Sequence, residues 1–266
     1  MSISSIILLV LVFALILIVV YLRSRPRSVN DNGIIYDYRR NIRHKLKTGD
    51  IILFSSKENG SVFDKIKYWS RTKLLGTEYG HVGLILKNPK TGELFLLECT
   101  DYMHTADDEA IHLNNYNRGS VRIINLDTLI DKYYQQQMGI FSVKFIEKEI
   151  PYNLIMNKLR EYKDVIFEDK WKLVFLATTD LLISHDFAKK LTSSPNSSTD
   201  IIKHFRSNNR YRKMMCAEFV HEILYRCGAL KAYPSKLFWP HIYTSAFFKE
   251  LEIIKFTKQY KFTVKK

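Results

Sequence analysis

The chain has 266 residues, 46% hydrophobic and 13% aromatic, and its 41 Lys and Arg against 27 Asp and Glu give a formal net charge of +14. That composition is too apolar for a disordered chain and is enough for one sizeable core. Three cysteines, at positions 99, 216 and 227, cannot all pair and match no spaced zinc pattern, which argues against a disulfide framework and for a reducing compartment.

Residues 3–22, ISSIILLVLVFALILIVVYL, carry no charge. A helix of that length rises about 30 Å, the depth of a bilayer core, so an uncleaved transmembrane anchor is expected over residues 1–22. A cleaved signal peptide would start with a basic stretch, whereas only Met1 and Ser2 precede the apolar run and RSRPR follows it. Arg23, Arg25, Arg27, Arg39, Arg40, Arg43, Lys45 and Lys47 face only Asp31 and Asp37 in this flank. By the positive-inside rule the flank stays cytoplasmic, so a single-pass membrane protein with a cytosolic domain is expected, in a viral or host membrane.

Residues 23–46 then read as a basic linker suited to anionic lipid headgroups. Nucleic acid is the rival partner for such a charge, but no zinc finger, Gly-Lys phosphate loop or aromatic RNA-binding signature is present, and none is expected to bind. Two sequons, at Asn59 and Asn196, would be glycosylated only if the domain faced a secretory lumen.

The globular domain is expected over residues 47–266. TGDIILFS (48–55) reads as a Gly-Asp turn feeding a strand, and Val62, Ile66 and Trp69 mark a helix within 61–75. HVGLILK and ELFLLECT form a hairpin around NPKTG, SVRIINL (120–126) and GIFSVKFI (139–146) are further strands, and a helix is predicted over 127–137. Residues 152–192 look largely helical and 191–200 is a polar Ser/Pro loop, so a helical insertion is expected over about 152–209. The fold class expected is α+β: a small antiparallel sheet packed with helices.

Cys216 stands where a basic stretch, RYRKMM, gives way to an amphipathic helix whose apolar stripe is Phe219, Val220, Ile223, Leu224 and Cys227, ending at Gly228. Backbone N–H groups and the helix dipole stabilise a thiolate in a first turn. The same position also suits an ordinary buried cysteine.

A thiol nucleophile needs a base and a group to orient that base. His81 lies within Gly80-His81-Val82-Gly83 at the start of the first hairpin strand. Pro in NPKTG favours a type I turn and a two- or four-residue loop, so paired residue numbers sum to 179 or 181. Either register puts His81 and Glu98 on one sheet face, directly opposite or diagonal. Glu98 sits in the apolar run LFLLECT, where an acid is costly without a partner. A carboxylate on one imidazole nitrogen would leave the other for Cys216.

Cys99 is expected on the opposite face, and Cys227 in the helix stripe, both as core. Asp50 reads as a turn residue, His241 in FWPHIY as the alternative base, and a zinc site from Cys99, His104, Cys216 and His221 fits no common spacing, so neither metal nor cofactor is expected.

The order TGDIILF, GHVGLIL, an acidic residue in the next strand, then CAEFV opening a helix resembles the circularly permuted papain-like thiol hydrolases. This is the permuted branch of the NlpC-type superfamily, with bacterial YiiX-like, poxvirus and, more distantly, lecithin:retinol acyltransferase relatives. The resemblance spans roughly Gly49 to Pro240 without the insertion. It implies a permuted papain-like fold, Cys216 as nucleophile, His81 as base and Glu98 as the polar third member. It further implies cleavage or transfer at amide or ester carbonyls through a thioester. Beside a membrane, lipid amides or esters and acylated or peptide substrates would be within reach. The alternative expectation is a non-catalytic, membrane-attached scaffold or lipid- or protein-binding module on the same fold. Richness in Lys, Asn and Ile suits an AT-rich genome, such as that of a large DNA virus or a parasite.

Overall fold

The computed structural model describes residues 34–55, 79–100, 110–113, 119–135, 141–167, 212–231, 243 and 246–264. Ten strands form one sheet: β1 Ile35–Asp37, β2 Ile51–Ser55, β3 Tyr79–Lys87, β4 Leu94–Thr100, β5 Ile111–His112, β6 Ser120–Asn125, β7 Phe141–Lys144, β8 Val165–Phe167, β9 Arg212–Met214 and β10 Tyr260–Thr263. Their spatial order is β1-β10-β7-β2-β3-β4-β6-β8-β9, with β5 paired to β6. Neighbours run antiparallel except β1 beside β10 and β8 beside β9.

The helices are α1 Leu126–Gln135, α2 Tyr152–Leu159, α3 Cys216–Arg226 and α4 Ala246–Leu251. They cover both faces of the sheet. On one side Ile51, Leu53, Val82, Leu84, Leu97 and Cys99 pack with α2, α3 and α4 through Ile155, Phe219, Val220, Ile223 and Phe248. On the other, Ile52, Phe54, Ile85, Leu96 and Phe141 pack with Leu126, Leu129, Ile130 and Tyr133 of α1. The period-2 alternation of the strands and the i, i+3, i+4, i+7 stripe of α1 produce this two-faced arrangement. Asn125 caps α1 by accepting the Thr128 N–H at 3.1 Å.

The chain is α+β, but the expected fold is corrected on two points. The sheet is large and mixed, because the first strand adds in parallel to the last and β9 in parallel to β8. The N-terminal transmembrane helix is not supported: among the described residues no helix is long and apolar enough to cross a membrane. The longest, α3 with 11 residues, rises about 16 Å, roughly half a bilayer core. Residues 1–22, where the anchor was expected, lie outside the described residues, as does the helix expected within 61–75.

Residues 34–46, expected as linker, belong to the packed domain. After β1 the chain makes a π-helical turn over Tyr38–Ile42 and a 3₁₀ turn over Arg43–Lys45. Tyr38, Ile42 and Leu46 are buried beside α1. Tyr38 donates to Asp127 Oδ1 at 2.7 Å, and Arg39 and Arg43 pair with Asp131 and Asp127 at 2.8 Å. Two of the basic residues assigned to lipid headgroups thus face carboxylates of α1. The expected insertion also starts inside the core, since α2 is followed at Val165 by β8, which joins the sheet. Residues 168–211 lie outside the described set.

Candidate active site

Three strands and one helix bring the site together. The hairpin β3–β4 pairs Leu84 with Leu97 and Lys87 with Leu94, a sum of 181. Asn88 and Gly92 close its turn, with the Gly92 N–H on the Asn88 carbonyl at 2.8 Å and Gly92 at φ +73°. In this register Glu98 is diagonal to His81 on one face. Along β2, Phe54 faces His81 but Ser55 faces Tyr79, so Gly80 is an extra, bulged residue immediately before the histidine. A bulge of this kind re-aims the side chain beside it.

Helix α3 follows β9 directly. Met215 is extended (φ −91°, ψ 164°) and leads into the helix, its N–H accepted by Glu218 Oε2 at 3.0 Å. At the far end Gly228 (φ +74°) carries the turn that lets the Ala229 N–H reach the Leu224 carbonyl at 2.8 Å and the Gly228 N–H reach that of Tyr225 at 2.9 Å. Cys216 is therefore the first residue of a helix fixed at both ends.

The side chains meet as a chain of hydrogen bonds. His81 Nε2 lies 2.5 Å from Glu98 Oε2. Arg122, directly opposite Glu98 in β6, places Nε and Nη2 each 2.7 Å from Glu98 Oε1. Glu98 is 0% exposed, Arg122 5% and His81 19%. The Cys216 thiol is close enough to the imidazole to act on it electrostatically; with Nε2 held by Glu98, Nδ1 is the nitrogen left for sulfur.

The electrostatics follow from that geometry. Burial works against the imidazolium, but the Glu98 charge, then Cys216, and the hydrogen bond to Glu98 hold His81 well above the ordinary imidazole range. Burial likewise works against the Glu98 carboxylate, yet His81 and then Arg122 hold it well below the usual carboxylate range.

His81 and Cys216 are associated with opposite sides of the sheet. The ring of His81 is 5.6 Å from that of Phe54, which belongs to the α1-side core, whereas Cys216 belongs to the α3-side core. Among the described residues the β3–β4 ladder stops at Leu84 and Leu97.

No protein-family model matches the chain. "Uncharacterized protein R372" of Acanthamoeba polyphaga mimivirus is 39% identical over 235 residues, which is 88% of this chain and 87% of that one. The chain belongs to that protein's family. The relative is viral, which agrees with the large-virus alternative drawn from composition. A shared span of 235 residues includes positions 81 to 216 wherever it starts, so the whole site lies within the region this family has in common.

The other residues singled out in this family member fall elsewhere. Cys99 is fully buried on the α3 side and donates weakly to the Met214 carbonyl at 3.5 Å, tying β4 to the end of β9. Cys227 is half-buried, and burial pushes its thiol up to about 11. His221 is fully buried in α3, and burial lowers it to about 4. Asp50 is a structural clamp, accepting the Lys47 and Ile146 N–H groups at 2.8 Å each. Burial raises its carboxyl to about 7, against those hydrogen bonds. His104 and His241 lie outside the described residues. Among the described residues no group of three or more His, Cys, Asp or Glu side chains is arranged to hold a metal ion.

Two residues escaped the sequence reading. Arg122 is a charge inside the apolar run SVRIIN, the same signal that marked Glu98, and pairing the two runs would have matched them. Tyr243, fully buried, donates to the Ala217 carbonyl at 2.9 Å beneath the first turn of α3. Nothing in its local sequence pattern marks it.

Proposed function

We propose that the protein is a cysteine hydrolase or acyltransferase acting on amide or ester carbonyls through a thioester on Cys216. The observation that carries this reading is the His81 imidazole held at 2.5 Å by the buried Glu98 carboxylate and close enough to the Cys216 thiol at the start of α3 to feel it electrostatically. The motif order shared with permuted papain-like thiol hydrolases supports it.

In this reading Cys216 gives its proton to His81 Nδ1, and Nε2–H donates to Glu98 Oε2. The thiolate attacks the carbonyl carbon and the C=O electron pair moves onto oxygen, where the Cys216 backbone N–H at the helix start is a donor. Collapse breaks the bond to nitrogen or oxygen, and the leaving group takes the proton from Nδ1. Water, or an acceptor amine or alcohol, then attacks the thioester with its proton passing to Nδ1, releasing acid or transferred acyl product and free Cys216.

The test is acylation and alkylation of the intact protein, read by peptide mass mapping. A p-nitrophenyl ester and iodoacetamide are expected to modify Cys216 at least about tenfold faster than Cys99 or Cys227, a difference of about 1.4 kcal/mol in barrier. His81→Ala removes that advantage. Equal rates at the three thiols, or no effect of His81→Ala, would favour the non-catalytic scaffold.

A further inference from the structure

Glu98 is fully buried and accepts on both oxygens: Oε2 from His81 and Oε1 from both Nε and Nη2 of Arg122. The pairing is built into the sheet, since Glu98 and Arg122 are directly opposite in the β4–β6 ladder. A buried salt bridge gains little stability, because desolvation of the two ions offsets their attraction. An apolar pair would serve the sheet as well, so the retained ion pair calls for a purpose beyond packing.

We propose that Arg122 is a positioning residue for the nucleophile: it commits Glu98 Oε1, keeps the carboxylate ionised throughout the cycle, and thereby leaves Oε2 to hold the imidazole toward Cys216. This rests on the reading of Cys216 as nucleophile. The physical need arises when His81 gives its proton to the leaving group. At that moment a buried carboxylate facing a neutral ring would take up a proton or lose its grip on the ring, and a fixed guanidinium prevents both. Arg suits the task better than Lys because its planar fork presents two N–H groups to one oxygen.

The groups facing this network are few among the described residues. His81 approaches from β3 and Cys216 from α3. His112 of β5 lies opposite Arg122 in the ladder. From α1 the neighbour is Tyr133, whose ring packs on Phe54 at 5.2 Å. Tyr243 sits under the first turn of α3.

The test needs no substrate: the rate of Cys216 alkylation by iodoacetamide is measured against pH in the full chain, with peptide mapping, for wild type, Arg122→Gln, Arg122→Lys and His81→Ala. Arg122→Gln keeps hydrogen-bond donors but removes the charge. It is expected to move the acid limb of the profile up by about one pH unit, seen as an approximately tenfold slower reaction at a fixed pH on that limb. Arg122→Lys restores most of the rate. A folded Arg122→Gln protein with the wild-type profile overturns the proposal, making Arg122 purely structural. Should Arg122→Gln fail to fold, Arg122→Lys decides: a near-wild-type profile supports the proposal, and a tenfold loss overturns it. Failure of the underlying reading looks different, because Cys216 in the wild type would then react no faster than Cys227 and would ignore His81→Ala.

Discussion

Glu98 links the two kinds of charge in the site, since it faces a titrating imidazole on one oxygen and a permanent cation on the other. Its substitution therefore has consequences for both stability and pH dependence. His81 is raised above its ordinary value, so its contribution to stability is complete below about 6.5 and is lost as pH rises through the raised value. Glu98 is lowered below its ordinary 4.5, so its contribution is complete above that value and is lost as pH falls through the lowered one. Stability from this pair is thus greatest between about pH 4.5 and 6.5 and declines on either side. Glu98→Gln removes the charge that raises His81 and strands the Arg122 charge in the core. The expected cost at neutral pH is about 3–5 kcal/mol, with a flatter dependence of the urea midpoint on pH. A variant whose midpoint keeps the wild-type pH dependence would show that the pair is not the source of it.

At the scale of elements, the hairpin and α3 each do one geometric job. The bulge at Gly80 re-aims the start of β3, while Gly83, two residues past His81, gives its missing side chain to Leu96. A Cβ at Gly83 would stand 2.6 Å from Leu96 Cδ1, so the two strands are packed to contact at this point. Gly83→Ala is expected to destabilise the protein by about 1–3 kcal/mol through overpacking. Shortening the neighbour with Leu96→Val is expected to recover part of that loss, and a thermal-denaturation double-mutant cycle measures the coupling. Additive effects of the two substitutions would deny the contact. On α3, Phe219, Val220, Ile223 and Leu224 are all fully buried, and each contributes about 1.5–3 kcal/mol of burial. That packing, with the Glu218 and Gly228 termini, is what holds Cys216 in place.

For the whole molecule, the first described strand lies beside the last, and the segment that follows it packs against α1. The domain therefore depends on residues 34–46. Leu46 is 1% exposed, and Leu46→Ala is expected to cost about 2–5 kcal/mol in chemical denaturation. A change below about 0.5 kcal/mol, the range of surface positions, would return this segment to the status of a linker. The three basic side chains Arg39, Arg43 and Lys47 act in the same structural sense, with Lys47 Nζ on the Glu147 carbonyl at 2.9 Å.

Much of this was legible in the sequence because it is local. Alternation in LFLLECT put Glu98 and Cys99 on opposite faces, the turn NPKTG limited the hairpin to registers that bring Glu98 to the side of His81, and the change of pattern at Met215 marked Cys216 as the first residue of a helix. Each is set by a few neighbouring residues through backbone geometry and side-chain period. The tertiary structure alone decided that β6 lies beside β4, which gives Glu98 its arginine, and that β1 joins β10, which turns an apparent linker into core. It also decided that α3 brings Cys216 within electrostatic reach of His81. Strand order and ladder length arise from competition among many distant, individually weak pairings, and no single stretch of sequence records which of them wins.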